Sequence, residues 1–398
     1  MNYPKIFDKS RLDILIYAQD GRGLGHVSRS AAIGMALRRL YPKLKVLLLT
    51  GFRETQMLLG ECPLDWMKLP SYETIIEKGR ARGKIGDMNL KNCYLGPARE
   101  KFIESIIWEF RPRLILVDHL PLGRKDELSS SLILSLDTDT RWVLGMRSIS
   151  GDDNKLWSEE SRKTFKKHYD SLLWYGDKSI LGSANCDRLE SFFSIQARVT
   201  GYVSRFMEII HWQKDGIKGA SNVVSLPWMT KETKSLLNTI SGTLKKMGDR
   251  YGHWRFFVNM KGLSNHAAQE KEAIENLPFC SLEQLSDQYF NALKNANLLI
   301  TYGGYNSLCD VIAAGVPSIV VTRTLNDQEQ EEHVKSLKEA AGEQIIHLRE
   351  GMFSSEMLYG AIKSQVNKEK MKRPLIKLNG AEETAHILAN YLKFYPHG

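Results

Sequence analysis

At 398 residues, with 42% apolar and 25% charged side chains, the chain is too long for one ordinary domain and too apolar for a disordered one. No apolar run approaches the roughly 20 residues that span a bilayer, and the polar start from Met1 to Asp13 has no signal-peptide core. The five cysteines (62, 93, 186, 280 and 309) are scattered and odd in number, which argues against a disulfide framework or a zinc site and for a reducing compartment. A cytoplasmic protein is expected, one that can sit peripherally on the inner membrane face.

The net charge is +9, and residues 1–200 carry most of it, with 32 Lys and Arg against 25 Asp and Glu. Nucleic acid, an anionic membrane surface or a phosphorylated substrate could each explain the excess, as could a mildly basic enzyme with no use for it. No nucleic-acid-binding signature accompanies it, so no nucleic-acid partner is expected.

In chain order, Asp13-Ile14-Leu15-Ile16-Tyr17-Ala18 reads as a buried strand running into Gln19-Asp20-Gly21-Arg22-Gly23-Leu24-Gly25-His26. A helix follows with Ala31, Ala32, Met35, Ala36 and Leu40 on one face, ending at Pro42. The glycines Gly21, Gly23 and Gly25 do not have the G-x-G-x-x-G spacing of a dinucleotide fingerprint. His26 stands where a first strand hands over to its helix, and in open α/β sheets that carboxyl end is where ligands sit. Strands are expected at 46–50 and 66–69. Residues 71–95 read as a long polar loop carrying Lys78, Arg80, Arg82, Lys84 and Lys91, and a loop of that length is usually functional or disordered. An amphipathic helix is expected from Ala98 to Phe110. Leu114-Ile115-Leu116-Val117-Asp118 is a buried strand with a carboxylate at its end, followed by His119. Further strands are expected at 142–146 (with Arg147 at the end), 172–175 and 199–203.

The pattern lapses around 206–221, where Lys214 to Ser221 looks like a linker, and then restarts with strands at 222–226, 256–259, 298–301, 318–322 and 344–347. The apolar run Leu298-Leu299-Ile300 is broken by Gly303 and Gly304, and from Tyr305 apolar residues recur at Leu308, Val311 and Ile312, which is helical spacing. Glycines there let a ligand approach the backbone, and the amides of Tyr305, Asn306 and Ser307 would face outward at a helix N-terminus that favours an anion. The plainer alternative is a βαβ crossover with a tight turn. Strands alternating with helices predict an α/β protein with two doubly wound, Rossmann-like parallel-sheet domains facing a cleft. Residues 1–205 form the first, 206–221 the linker and 222–398 the second, and the last helix can pack back on the first domain.

These residues resemble the GT-B glycosyltransferases, especially the family 28 group that contains the bacterial peptidoglycan N-acetylglucosaminyltransferase, and related bacterial glycosyltransferases with the same Gly-Gly-Tyr-Asn turn. Four places carry the resemblance: Gly23-Leu24-Gly25-His26; Leu116-Val117-Asp118 with Pro121-Leu122-Gly123; Thr200-Gly201-Tyr202-Val203-Ser204-Arg205; and Gly303 to Asp310 on through Arg323 and Asp327-Gln328-Glu329-Gln330. The resemblance implies an inverting, metal-independent transferase that takes a sugar from a UDP-sugar or similar donor, a substrate rather than a cofactor, to a hydroxyl acceptor. That acceptor is a glycan, a lipid-linked molecule or a small molecule. Its first domain would hold the acceptor, with Gly23, Gly25 and Arg29 on that side. Lys78, Arg80, Arg82 and Lys84 would overhang it, to meet an anionic acceptor or membrane.

An inverting transferase needs one base for the acceptor hydroxyl and a site for the departing diphosphate. His26 is the natural base, since its ordinary pKa lies near neutrality, and Asp118 could accept from its other ring nitrogen. Packing or capping roles are the plainer readings of both. The diphosphate would sit on the amides after Gly304, with Ser307 as a hydroxyl donor and Arg205 neutralising it across the cleft. By resemblance, Asp310 takes the place of a glutamate that holds the ribose. Glu329 and Gln330 take that of a Gln-Gln pair that contacts sugar hydroxyls, although a carboxylate at 329 can only accept. One departure stands out. Where the family runs a strand into several glycines, this chain reads Val223-Val224-Ser225-Leu226-Pro227-Trp228-Met229-Thr230. Looser ligand contact, a remodelled donor site or lost donor binding each fit that change. A non-catalytic partner subunit and a UDP-sugar epimerase, which would need further acidic residues, are the alternative functions.

Overall fold

The computed structural model describes residues 11–19, 24–77, 80–84, 92–151, 154–213, 219–227, 233–284, 286, 288–323, 329–371 and 376–394, with side chains described outside 73–92 and 261–262. The chain divides into two compact units, Met1–Glu208 with Lys377–Gly398, and Ile209–Ile376.

In the first unit the strands are β1 (Ile14–Ala18), β2 (Val46–Thr50), β3 (Asp65–Lys68), β4 (Glu73–Glu77), β5 (Arg80–Lys84), β6 (Leu114–Asp118), β7 (Arg141–Arg147), β8 (Ser171–Tyr175) and β9 (Arg198–Val199). Seven of them form one sheet in the order β3-β2-β1-β6-β7-β8-β9, with every pair parallel. β1 and β6 are buried at every residue because both faces of the sheet are covered, which is why they read as unbroken apolar runs. On one face Leu15, Tyr17, Ile115 and Val117 pack with Ile103 and Ile107 of the helix Asn92–Phe110. On the other, the helix Gly25–Leu40 lies over Ile16 with Ala31, Ala32, Met35 and Ala36 buried. The chain leaves β1 for β2 on one side and reaches β6 on the other. The topological switch point, where open α/β sheets bind ligands, therefore lies at the carboxyl ends of β1 and β6.

Two expectations for this unit are corrected. The stretch 71–95 is not a loop throughout: β4 and β5 pair antiparallel from Glu73↔Lys84 to Glu77↔Arg80, and the helix expected at Ala98 already begins at Asn92. The β-branched Thr74, Ile75 and Ile76 favour that pairing, and the run of charge and glycine after them disguised it. The expected strand at 199–203 pairs only over Arg198–Val199. Thr200 N–H still donates to the Trp174 carbonyl of β8 (3.1 Å), and from Tyr202 the backbone bonds to the returning C-terminal segment. Tyr202 N–H donates to the Lys377 carbonyl (2.7 Å), and Gly380 N–H to that of Tyr202 (3.0 Å). Gly201 adopts φ +91° at the crossing, where a Cβ would lie 2.9 Å from the Lys377 carbonyl oxygen. The helix Gly380–Tyr391 then packs on the helix Gly25–Leu40. Arg39 clamps Glu208 with two bonds of 3.0 Å and Glu382 with a third of 3.0 Å.

The second unit holds β10 (Ser221–Leu226), β11 (Trp254–Val258), β12 (Cys280–Gln284), β13 (Ala296–Tyr302), β14 (Ser318–Thr322) and β15 (Ile345–Arg349) in the parallel order β12-β11-β10-β13-β14-β15. β12 went unread in the sequence because it is a partly covered edge strand, Cys-Ser-Leu-Glu-Gln, with little apolar signal. Val224, Leu226, Phe256, Val258, Leu298 and Ile300 pack on Leu236, Leu237, Ile240 and Leu244 of the helix Thr233–Met247. The switch point here lies at the ends of β10 and β13. Among the described residues no helix is long and apolar enough to cross a membrane.

Candidate active site

The switch point of the first unit carries a buried cluster of charge. His26 is the second residue of the helix Gly25–Leu40, and Asp118 is the last of β6. The imidazole Nδ1 donates to Asp118 Oδ2. Arg29, one turn further along the helix, donates from Nη2 to both oxygens of the same carboxylate, at 2.9 and 3.1 Å. Asp118 and Arg29 are 3% and 2% exposed, so the ion pair is sealed from water while His26 keeps an accessible edge. The side-chain amide of Gln19, which follows β1, lies 3.3 Å from His26 Nε2. His119 follows Asp118 with φ +80°, a region that disfavours side chains, and its ring centroid is 5.4 Å from that of His26.

Electrostatics divides the labour. Burial lowers the His26 pKa below its ordinary value; the Asp118 carboxylate opposes this, while Arg29 and Arg147 reinforce it. The imidazole is therefore neutral at pH 7, with its proton on Nδ1 and a lone pair on Nε2. Burial alone would raise Asp118, but Arg29, then His26, outweigh it and hold the carboxyl well below the usual carboxylate range. Such an imidazole has a fixed tautomer, an ionised anchor and a lone pair able to accept a proton.

Arg205 begins the helix Arg205–Ile209 and reaches the first turn of the helix Gly25–Leu40. Its Nε donates to Ser28 Oγ (3.1 Å) and its Nη1 to the Leu58 carbonyl (3.0 Å). A Cβ at Gly25 would meet nothing within 4 Å among the described residues. Gly23 and Lys78 lie outside the described residues, and Arg80, Arg82 and Lys84 are described only as backbone of β5.

In the second unit the turn after β13 leads into the helix Tyr305–Ala314. Gly304 occupies the N-cap of this helix and supplies no side-chain cap. Asp310 faces inward on this helix, 9% exposed, and accepts from the Tyr289 hydroxyl (3.3 Å). Arg323 follows β14 and lays its guanidinium 3.9 Å over the Tyr302 ring, while the Tyr302 hydroxyl donates to Glu350 (2.6 Å). Gln330 accepts from the Arg323 backbone N–H (3.2 Å), and Glu329 opens the helix Glu329–Ala341. Gly303, Gly304, Arg323 and the start of the 329–341 helix are thus gathered at one end of this sheet. Asp327, Gln328 and Trp228 to Thr230 lie outside the described residues. Among the described residues no group of three or more His, Cys, Asp or Glu is gathered to hold a metal ion.

Known structures share this architecture. The UDP-GlcNAc 2-epimerase of Methanocaldococcus jannaschii is 12% identical over 96% of this chain and 99% of that one, with a TM-score of 0.61. Acinetobacter baumannii MurG is 12% identical over 96% and 100%, with a TM-score of 0.55. The chain has the GT-B fold. A glycosyltransferase from Rickettsia africae shares the GT-B fold as well, at 12% identity over 96% and 97%, with a TM-score of 0.53. Residues 230–386 match the model of the glycosyltransferase family 28 C-terminal domain. No curated protein matches by sequence. The chain resembles GT-B glycosyltransferases of the family 28 group, and this supports a nucleotide-sugar glycosyltransferase.

Three residues around His26 were not read from the sequence as its neighbours: Gln19, Arg147 and Arg29, the last through the carboxylate of Asp118. For Arg29 a signal existed, since His26 and Arg29 are three apart and a helix turns both to one side. For Gln19 and Arg147 only the strand ends that carry them revealed the relation.

Proposed function

We propose that this protein is an inverting, metal-independent glycosyltransferase that moves a sugar from a UDP-sugar to the hydroxyl of a glycan, lipid-linked or small-molecule acceptor. The observation that carries the reading is the His26–Asp118 pair, a half-buried neutral imidazole whose Nδ1 is held by a buried carboxylate. His26 Nε2 takes the acceptor's hydroxyl proton as its oxygen bonds to the anomeric carbon, and the bond from that carbon to UDP breaks. A single displacement of this kind inverts the anomeric centre. The amides after Gly304 and the dipole of the helix Tyr305–Ala314 would receive the diphosphate, with Ser307 donating. A UDP donor is favoured by the solved neighbours, of which the M. jannaschii epimerase holds UDP-GlcNAc and UDP and S. aureus MnaA holds UDP.

A UDP-sugar 2-epimerase is the competing reading, since solved epimerases share the fold. One incubation separates the two. UDP-sugars are supplied with and without a panel of hydroxyl acceptors, in the presence of a chelator, and products are resolved by anomer. UDP release coupled to an inverted glycoside supports the proposal. An isomerised UDP-sugar without acceptor favours the epimerase, and UDP-sugar binding with no turnover favours a non-catalytic partner.

A further inference from the structure

Asp118 is asked to do two things that conflict. A carboxylate on Nδ1 orients the imidazole, but its charge also draws a second proton onto the ring. An opposite charge at such a distance is enough to move a pKa by about 1–3. A base held as imidazolium at neutral pH has no lone pair to offer. In this protein the conflict is resolved within one helical turn.

We propose that Arg29 is a positioning residue for the reaction: by sharing the Asp118 carboxylate with His26, it fixes that carboxylate and cancels its charge, so that the imidazole is oriented without being protonated. The inference rests on the reading of His26 as general base. The spacing His26-Val27-Ser28-Arg29 sets both side chains on the side of the helix that meets the end of β6. Nη2 bonds Oδ1 at 2.9 Å and Oδ2 at 3.1 Å, so one nitrogen spans the carboxylate, and Oδ2 is the oxygen that also receives His26 Nδ1. Nη2 itself lies 3.3 Å from Nδ1, which puts the cation beside the ring as well as beside the acid. Arginine suits this place because it stays charged when buried.

Every element around His26 agrees with a neutral ring. Arg29 faces it from its own helix, Asp118 and His119 from the end of β6, and Arg147 from the end of β7. Tyr175 of β8 interacts with Asp118, and its hydroxyl is kept protonated by burial and by that carboxylate. Gln19 places an amide nitrogen 3.3 Å from Nε2, and with Nδ1 donating to Asp118 that amide can donate only to a lone pair on Nε2. Among the described residues Asp118 is thus the one negative charge in the group, and Arg29 is the cation bound to it.

The test follows His26 directly by NMR titration of the labelled imidazole, alongside the pH profile of transfer, in the parent, Arg29→Gln and Arg29→Lys. In Arg29→Gln the His26 midpoint is expected to rise by about one pH unit or more. The acid limb of kcat should rise with it, so that raising the pH from 7 to 9 regains the part of the rate lost to protonation and leaves only the pH-independent loss from the unfixed carboxylate. Arg29→Lys keeps the charge, but its nitrogen is one bond short of the place of Nη2 and holds the carboxylate less closely. It should titrate as the parent does and lose about tenfold in kcat at every pH, as misplacement of a catalytic group does. A folded Arg29→Gln whose His26 titrates at the parent pH overturns the proposal whatever the rates. Should Arg29→Gln not fold, Arg29→Lys with parent kcat throughout overturns it. A midpoint that moves while the rate profile stays in place overturns the general-base reading instead.

Discussion

Gly303 and Gly304 are adjacent in the chain and have opposite surroundings. A Cβ at 303 would lie 2.9 Å from Val334 Cγ2 and 3.1 Å from Thr322 Cγ2, whereas at 304 it would meet nothing within 4 Å among the described residues. The first glycine is required by the packing of its own unit, and the second leaves space over the helix N-terminus. Gly303→Ala should therefore destabilise the fold by about 1–3 kcal/mol through overpacking. Gly304→Val should keep the parent melting temperature and lose UDP binding. A UDP titration of folded Gly304→Val that matches the parent would remove the diphosphate from these amides.

The proposed base predicts a clean separation of binding from chemistry. His26→Ala should slow transfer by about 10²–10⁴ while UDP affinity stays within twofold of the parent. Parent-rate transfer by this variant would pass the role to another group, with His119 the next to replace.

Acid should act on this cluster in a defined direction. The folded His26 pKa lies below the unfolded value of about 6.5, so below that pH the unfolded chain binds more protons. Its contribution to stability is complete above about 6.5 and is lost as pH falls towards the folded pKa. Asp118, held low by Arg29 and His26 against the effect of burial, adds stability that is complete above about 3.9 and declines below it. Denaturant midpoints measured from pH 8 to pH 4 should fall less steeply below pH 6.5 in His26→Ala than in the parent. Parallel curves would refute the assignment.

A second buried ion pair sets a stability test unrelated to chemistry. Arg99 and Glu127 are both fully buried and joined at 2.6 and 2.7 Å, and Tyr17 donates to the same carboxylate at 2.5 Å. Glu127→Leu alone strands a buried guanidinium and should cost about 3–5 kcal/mol, and Arg99→Met strands the carboxylate at similar cost. The double variant should recover much of the loss, because two matched apolar side chains leave no charge unpaired. Additive losses in equilibrium unfolding would contradict this account.

The basic hairpin yields the last prediction. β5 carries Arg80, Arg82 and Lys84 along its antiparallel ladder with β4, and Lys78 precedes β5 in the sequence. Each cation near an anionic surface contributes about 1 kcal/mol, screened within about 8–10 Å at physiological salt. Neutralising Lys78, Arg80, Arg82 and Lys84 together should raise the acceptor KM or release the protein from anionic vesicles at low salt, with UDP affinity unchanged. If neither changes, the hairpin has no part in binding.

The architecture was legible in the sequence because strands covered on both faces must be apolar throughout, and helices between them must show a 3.6-residue stripe. Leu114 to Val117 and Leu298 to Ile300 carry that signal alone. The strand ends at Asp118 and Tyr302 and the glycine turn after Tyr302 were likewise readable, since breaking an apolar run takes a polar or glycine residue. What one-dimensional pattern could not supply was pairing. The hairpin at 73–84, the edge strand at 280–284 and the docking of Gly380 on Tyr202 all depend on partners far along the chain or on surfaces only half covered. The same holds for the cluster around His26. Its identity as a titratable group at a strand-to-helix junction follows from sequence. That Arg29 binds the same carboxylate, that Gln19 faces its lone pair and that burial keeps it neutral were decided by three strand ends and a helix meeting in a space closed to water, where each charge is set by its neighbours.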